Sequence, residues 1–294
     1  MVSVKSLIGA AAAALLSTAA YAADLGAPPP PMQYLPPAPV AQQSAWYLRG
    51  DVGVGMQNFS QFDLEPASTL PSSWSVNQTD IQDATLFDLG VGYNFNDWLR
   101  FDVTGEYRTA AAFKALGSYT GSYAGSLCTP GSGYSCFDNY EGNFSAAVFM
   151  ANAYVDLGTW WCLTPYIGAG VGTAYDRISG VQDVGYLPSG APGFGYTYND
   201  SSTWNLAWNA QVGLTYNVSD NLKIDFSWRY LDMGSPGSAN IYCQNTGTTP
   251  TPCNTFNLKD LTSQDFRIGL RWSLEPAPAP TPVFMPQPPL STRG

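Results

Sequence analysis

The sequence predicts an all-β fold, an eight-stranded antiparallel up-and-down transmembrane β-barrel, and three observations lead to it. Polar and apolar residues alternate over stretches that are longer than a typical strand of a soluble sheet. The connections between these stretches are alternately long and short. Only 12% of the residues are charged, whereas 14% are aromatic. Together these features indicate a closed sheet whose apolar face meets lipid.

The clearest alternation runs over residues 204–232 and predicts a hairpin of two long strands. Trp208 and Val212 share the apolar face of the first strand, and Phe226 continues the pattern in the second, after a turn at 218–221. Each strand has about 10 residues, against about 5–6 in soluble sheets, and about 9–11 tilted residues cross a bilayer. Alternation alone leaves two readings open, because a soluble barrel has the same period with its faces exchanged.

Six further segments show the same two-residue period and complete a set of eight strands. They span residues 46–59, 84–95, 98–108, 143–157, 164–176 and 261–272. The long connections between strands are 60–83, 110–142, 177–203 and 233–260, and the short ones are 96–97, 158–163 and 218–221. Outer-membrane barrels have short periplasmic turns and long external loops. The sequence therefore predicts four long external loops and places both termini in the periplasm.

The composition favours a membrane barrel over a soluble barrel. A soluble domain has about 25% charged residues, roughly twice the fraction found here. Aromatic residues gather near both ends of the predicted strands, as they do at water–lipid boundaries. The predicted periplasmic girdle consists of Trp46, Phe95, Trp98, Trp160, Trp161, Tyr216 and Trp272. Tyr107, Tyr175, Trp208, Trp228 and Tyr230 lie toward the long loops.

The first residues have the pattern of a secretory signal peptide. Lys5 precedes an apolar run at 7–16, and Ala20-Tyr21-Ala22 forms a cleavage site of the A-x-A type. Proline-rich segments follow the cleavage site and end the chain, and both are expected to be extended. The predicted organisation is a signal peptide at 1–22, a proline-rich periplasmic segment at 23–43, a barrel at 44–273 and a proline-rich periplasmic tail at 274–294.

If the apolar face meets lipid, the polar face lines the lumen and carries seven basic and seven acidic residues. They are Arg49, Asp51, Asp88, Arg100, Asp102, Glu106, Arg108, Asp156, Lys223, Asp225, Arg229, Asp265, Arg267 and Arg271. Buried charges must be paired or hydrated, so a balanced set favours a salt-bridged plug. The alternative is a selectivity ring for small ions. Gly168, Gly170 and Gly172 either open a narrow gap or relieve crowding.

The residues that an enzyme would need are missing. The chain has no histidine, which excludes Ser-His-acid triads and removes the commonest transition-metal ligand. The sequence therefore predicts no catalytic residue, no cofactor and no metal site. A net charge of −10 without clustered Lys and Arg argues against nucleic acid as a partner.

Five cysteines suit an oxidising compartment. Cys128 and Cys136 share the second long loop, and Cys243 and Cys253 share the fourth. We predict one local disulfide in each loop, worth about 2–3 kcal/mol apiece, with pairing between the loops as the weaker option. Cys162 is left over as a free thiol or an intermolecular link.

Three segments of the predicted barrel carry a family resemblance. They are FSAAVFMANAYVDLGTWWCLTPYIGAGVG at 144–172, WNLAWNAQVGLTYNVSDNLKIDFSWRYLDMG at 204–234 and LTSQDFRIGLRW at 261–272. They resemble the alphaproteobacterial outer-membrane surface-antigen family of small, opacity-protein-like barrels, often named porin-family proteins. The resemblance spans roughly 46–272 and is structural. It implies a location in the outer membrane among lipid and lipopolysaccharide, and insertion by the barrel-assembly machinery.

The expected function is non-enzymatic, in envelope integrity and as a cell-surface antigen or interaction protein. The alternative is a narrow, porin-like diffusion channel for small solutes or ions. A third hypothesis is that the proline-rich arms bind peptidoglycan or a periplasmic partner, while the loops contact external surfaces.

Overall fold

A computed structural model gives the fold. It describes residues 46–65, 73–123, 126–128, 136–186, 192–197, 199–243 and 251–274. The predicted signal peptide, the proline-rich segment at 23–43 and nearly all of the proline-rich tail lie outside these residues.

Thirteen strands account for most of the described chain. They are β1 (Trp46–Glu65), β2 (Ser75–Ile81), β3 (Ala84–Asn94), β4 (Leu99–Tyr119), β5 (Gly121–Tyr123), β6 (Ser126–Cys128), β7 (Cys136–Asp156), β8 (Leu163–Tyr186), β9 (Pro192–Tyr196), β10 (Ser201–Asn217), β11 (Leu222–Asp232), β12 (Gly237–Cys243) and β13 (Thr251–Ser273). In the described residues, no helix has the length and apolarity required to cross a membrane.

Eight of these strands close into a ring. The order is β1-β3-β4-β7-β8-β10-β11-β13, every neighbouring pair is antiparallel, and β1 pairs with β13 to complete the circle. Tyr47 at the start of β1 lies opposite Ser273 at the end of β13. Both ends of the barrel segment therefore lie beside the connections 95–98, 157–162 and 218–221, which we call the short-turn end. The predicted fold is confirmed.

The outer face near the short-turn end is an uninterrupted apolar belt. Along β4, Phe101, Val103 and Tyr107 are exposed while Arg100 and Asp102 are buried, and the other seven ring strands alternate in the same way. The belt covers about nine residues of each strand, which matches the span of a bilayer. The structure places the side chains of the predicted periplasmic girdle at the short-turn end, all of them exposed.

The predicted strand ends at the opposite end of the barrel, which we call the external end after its predicted orientation, were wrong. β1 continues to Glu65, β4 to Tyr119 and β8 to Tyr186, while β7 already begins at Cys136 and β13 at Thr251. Much of each predicted long loop is therefore barrel wall, and β2, β5, β6, β9 and β12 lie within the remaining connections.

The reason is an exchange of polarity between the two faces of the sheet. In the belt apolar side chains point outward, but beyond it they point inward, as shown by buried Phe113 beside exposed Lys114. The pairing register shifts between Arg108 and Ala111 where β4 crosses this boundary. A sequence prediction that keeps apolar residues on the same face of the strand therefore ends the strand at the membrane boundary, although the strand itself continues.

The inward apolar side chains form a continuous cluster inside the external part of the barrel, which we call the apolar layer. Its members larger than alanine are Phe59, Phe62, Leu64, Ile81, Phe113, Tyr140, Phe144, Val148, Met150, Ile178, Val181, Leu231, Met233, Ile241, Phe256, Leu258 and Leu261. The rings of Phe62 and Phe256 stack with their centroids 5.9 Å apart, and Phe62 also contacts Tyr140. The external part of the barrel thus has a hydrophobic core of its own.

Candidate functional site

The candidate site is the barrel interior together with its external end. Inside the apolar belt, strand register turns the fourteen predicted lumen charges toward the bore. Thirteen of them take part in ion pairs within 4 Å. We call this set the charged layer. It lies between the short-turn end and the apolar layer.

A four-residue ring forms the tightest part of the charged layer. Asp265 accepts hydrogen bonds from Arg108 at 2.5 Å and from Arg229 at 2.6 Å. Glu106 accepts from Arg108 at 2.8 Å and from Arg229 at 2.5 Å. Ser263 also donates to Asp265, at 2.6 Å. The bonds from Arg108 to Asp265 and from Arg229 to Glu106 join strands that are not neighbours in the wall, because β4 faces β11 across the barrel and is separated from β13 by β1 and β3.

The remaining pairs surround this ring. Arg49 binds Asp51 at 2.7 Å and Asp102 at 2.8 Å, and Asn152 donates to the second oxygen of Asp102. Tyr154 accepts a hydrogen bond from Arg49 at 2.7 Å.

Two further pairs hold arginines of β13. Arg267 binds Asp88 at 3.3 Å, and Arg271 binds Asp225 at 3.2 Å. Neutral groups complete their contacts, because Arg267 also donates to the side-chain oxygen of Gln211 at 2.5 Å. The bonds of Arg267 reach past the neighbouring strands to β3 and β10, whereas Arg271 and Asp225 lie on the paired strands β13 and β11.

Arg100 is held by aromatic faces as well as by charge. Its guanidinium lies 4.2 Å from the ring centroid of Tyr154 and 4.4 Å from that of Tyr166, and it donates to Asp156 at 3.1 Å. A cation between two rings gains cation–π attraction in addition to the ion pair. Lys223, which is half-buried near the short-turn end, forms no ion pair with the described residues.

The glycine stripe of β8 is filled by side chains and backbone of its neighbours. A methyl group added at Gly168 would lie 2.6 Å from the Tyr154 ring, and one at Gly170 would lie 2.1 Å from the amide oxygen of Asn152. At Gly172 it would lie 1.9 Å from the carbonyl oxygen of Phe149. Of the two roles considered for this stripe, the structure supports relief of crowding.

At the external end, every described basic side chain is already paired with an acid. Lys114 binds Glu141 at 3.1 Å, Lys259 binds Asp63 at 2.8 Å, and Arg177 binds Asp200. Further acids, among them Glu65, Asp80, Asp83, Asp138 and Asp183, form no ion pair with the described residues. The external end is therefore negatively charged.

Two of these acids lie on adjacent strands of the external wall. Burial raises the pKa of Asp138 to about 6. Burial, reinforced by the charge of Asp138, raises the pKa of Asp183 to about 8. Asp183 is buried, and one of its carboxylate oxygens has no hydrogen-bond partner. Near neutral pH the Asp183 carboxyl is therefore largely protonated.

The predicted disulfides fall partly outside the described side chains. Cys136 is buried at the start of β7. Cys243 lies opposite Thr251 in the β12–β13 pair, and Thr251 precedes Cys253 by two positions in the sequence. Both pairings stay predictions. Cys162 is an exposed free thiol. Over the described ranges, no group of three or more cysteine or acidic side chains is arranged to hold a metal ion.

Comparison with known protein families identifies the family of this chain. Residues 8–273 match the model of the outer membrane protein β-barrel domain. The chain belongs to this family. An uncharacterized protein of Brucella suis is 36% identical over 233 residues, which cover 73% of this chain and 76% of the relative.

Two other matches extend the comparison. A candidate adhesin of Rickettsia prowazekii is 24% identical over 198 residues, which cover 67% of this chain and 75% of the relative. Among solved structures, the outer membrane protein OprG of Pseudomonas aeruginosa aligns with a TM-score of 0.44 at 12% identity, over 80% of this chain and 99% of that one. The family places the protein in the Gram-negative outer membrane.

Sequence reasoning did not anticipate the apolar layer. Its signal was present, since Phe113 and Lys114 or Leu258 and Lys259 continue a two-residue period beyond the predicted strand ends. The signal had the opposite face polarity and was therefore assigned to loops.

Replacing Asp265 with alanine tests the central ring. The substitution leaves Arg108 and Arg229 buried with a single shared carboxylate, so we expect the free energy of unfolding to fall by about 3–5 kcal/mol. Urea titration of the refolded barrel in micelles measures this loss. The matched control is Asp200→Ala, which breaks an exposed pair and should cost at most about 1 kcal/mol. Equal losses in the two variants would contradict the assignment.

The buried acids predict a pH dependence at the external end. Because the folded-state pKa of Asp183, about 8, lies above its ordinary value, the folded chain keeps a proton that the unfolded chain releases. Stability should therefore fall as the pH rises from about 4 to about 8. In Asp183→Asn, which cannot ionise, the urea midpoint should fall less over this range than in the wild type. Identical pH profiles for the two proteins would refute the prediction.

Proposed function

We propose that this protein is a non-enzymatic, non-conducting outer-membrane barrel that supports envelope integrity and presents its external end as a cell-surface antigen and interaction surface. The observation that carries the proposal is the filled interior, in which a charged layer and an apolar layer lie one above the other. A barrel with a filled interior does not conduct ions or solutes, so its function depends on its wall and its external end.

Each layer opposes ion flow for its own physical reason. In the charged layer, the arginines are bound by carboxylates from other strands, and an ion entering the bore would have to replace those partners. In the apolar layer most inward side chains are hydrocarbon, so an ion that entered would lose much of its hydration shell with few polar groups to replace it. An eight-stranded barrel is narrow enough for side chains alone to fill it.

The external end suits a role at the cell surface because the strands of the barrel wall continue into it. From Tyr107 to Tyr119, β4 continues for twelve residues beyond the belt, which is about 30 Å along the barrel axis at a tilt of about 40°. Its outer face carries Lys114 and Ser118 among small and apolar residues, and its inner face is packed by the apolar layer. Such a rigid platform can hold a binding surface clear of the lipid headgroups.

The coarse similarity to a candidate adhesin agrees with this role. Within the proposal, the belt contacts outer-membrane lipid and lipopolysaccharide, the barrel-assembly machinery inserts the chain, and the short-turn end with both termini faces the periplasm. The proline-rich arms could then reach peptidoglycan. The predicted disulfides would stabilise the external end.

Planar-bilayer recording tests the closed lumen. Refolded protein that shows heat-modifiable mobility on gels should give no discrete openings. A variant that lacks the four-residue ring, with alanine at Glu106, Arg108, Arg229 and Asp265, should stay silent because the apolar layer remains. Adding Phe113→Ala and Phe256→Ala to it should produce conductance. Reproducible openings by the wild type would instead support the narrow, porin-like diffusion channel.

A deletion strain tests the cellular role. We expect cells without the protein to lose detergent resistance and binding to external surfaces, and the full chain supplied in trans to restore both. A chain without residues 276–294 serves as the matched control, because it keeps the barrel and removes only the tail. Normal detergent resistance and normal binding in the deletion strain would refute the proposed role.

A further inference from the structure

One seam without ladder pairing in the described part of the external wall runs between β1 and β2. β1 pairs with β3 only as far as Gly55 opposite Ala84, and beyond that point its sole ladder partner is β13. β2 pairs with β4 alone. The edge of β1 at residues 57–65 and the edge of β2 therefore border a seam with unused backbone hydrogen-bonding groups.

These two edges lack lysine and proline, the residues that most often protect an exposed edge. Natural sheets block exposed edges with lysine, proline, or a covering element. Residues 57–65 and 75–81 contain no lysine, arginine or proline, and all six residues from Ser75 to Asp80 are exposed. The one irregularity is a register shift against β4 between Val76 and Gln78. An open, polar edge of this kind is a template for an added strand.

The charge beside the seam is negative. Glu65 ends β1, while Asp80 lies in β2 and Asp83 just after it, and all three side chains are exposed without an ion pair in the described chain. Asp63 is paired with Lys259. A strand that adds here would meet three carboxylates without an ion pair, of which Asp80 lies opposite Lys114 in the ladder and Glu65 lies near Lys259.

We propose that the seam between β1 and β2 binds an extended, basic peptide segment of a partner protein, which adds as a β-strand. Backbone hydrogen bonds would supply the alignment, and the carboxylates would select lysine and arginine side chains. The proposal rests on the proposed function, because it names the partner chemistry of the external end.

Charge decides against the other occupants. A second copy of the chain would bring its own Glu65, Asp80 and Asp83 against these residues, and like charges repel. The chain's own residues 66–72, PASTLPS, carry no basic side chain. A sulfated polysaccharide would be repelled by the same carboxylates.

Fluorescence anisotropy tests the proposal with the full chain folded in micelles. The probe is a labelled eight-residue peptide of alternating lysine and threonine. A peptide with the same sequence, N-methylated at every second residue, keeps the charge and removes the backbone donors of one edge. We expect the lysine peptide to bind, the N-methylated peptide to bind at least tenfold more weakly, and a glutamate–threonine peptide not to bind.

Paired charge variants locate the site. Asp80→Asn with Asp83→Asn should weaken binding of the lysine peptide about fivefold. The matched control, Asp97→Asn with Asp220→Asn, makes the same charge change at the short-turn end and should leave the affinity unchanged.

The outcomes separate this proposal from the proposed function. Equal binding of the lysine and N-methylated peptides would overturn strand addition, and equal effects of the two variant pairs would overturn the location. Absence of peptide binding by a protein that is silent in bilayers and supports surface binding by cells would overturn the seam proposal alone. Openings in the bilayer would overturn the closed barrel, whatever the peptide does.

Discussion

The hydrocarbon core of the membrane sets the constraint on which the rest of this structure depends. Inside it no water is available for backbone N–H and C=O groups, so a sheet can cross only if its last strand pairs with its first. The ladder between β1 and β13 meets that condition. Because side chains alternate along a strand, an apolar exterior places every polar residue of the spanning segment inside the ring.

A narrow ring full of polar side chains must then satisfy them from within. Asp265 and Glu106 each accept from both Arg108 and Arg229, and Arg49 bridges Asp51 and Asp102. Any one of these pairs would be weak evidence for stability, because desolvation offsets the attraction. The pairs Arg49–Asp102, Arg108–Asp265 and Arg229–Glu106 link strands that backbone pairing does not join.

Much of this could be predicted from sequence because the membrane makes the rule simple. The alternation around Trp208 and Phe226 gave the strands, and the inward charges followed from the same period. The pairing partners could not be predicted, since they depend on barrel tilt and shear. The lengths of β1, β4, β7, β8 and β13 could not be read by that rule either, because it holds only at membrane depth. Beyond that boundary water surrounds the barrel, and Phe113 turns inward for the same reason that Phe101 turns outward.

The exchange of polarity also explains why closure can relax outside the membrane. In the spanning part an unpaired edge would be prohibitively costly, whereas at the external end water can hydrogen-bond the edges of β1 and β2. The apolar layer keeps the wall folded there, so a seam does not unfold the sheet. The barrel therefore carries its unused hydrogen-bonding groups where a partner can reach them, beside Glu65, Asp80 and Asp83. A filled lumen and an open external edge are two consequences of one wall passing from lipid into water.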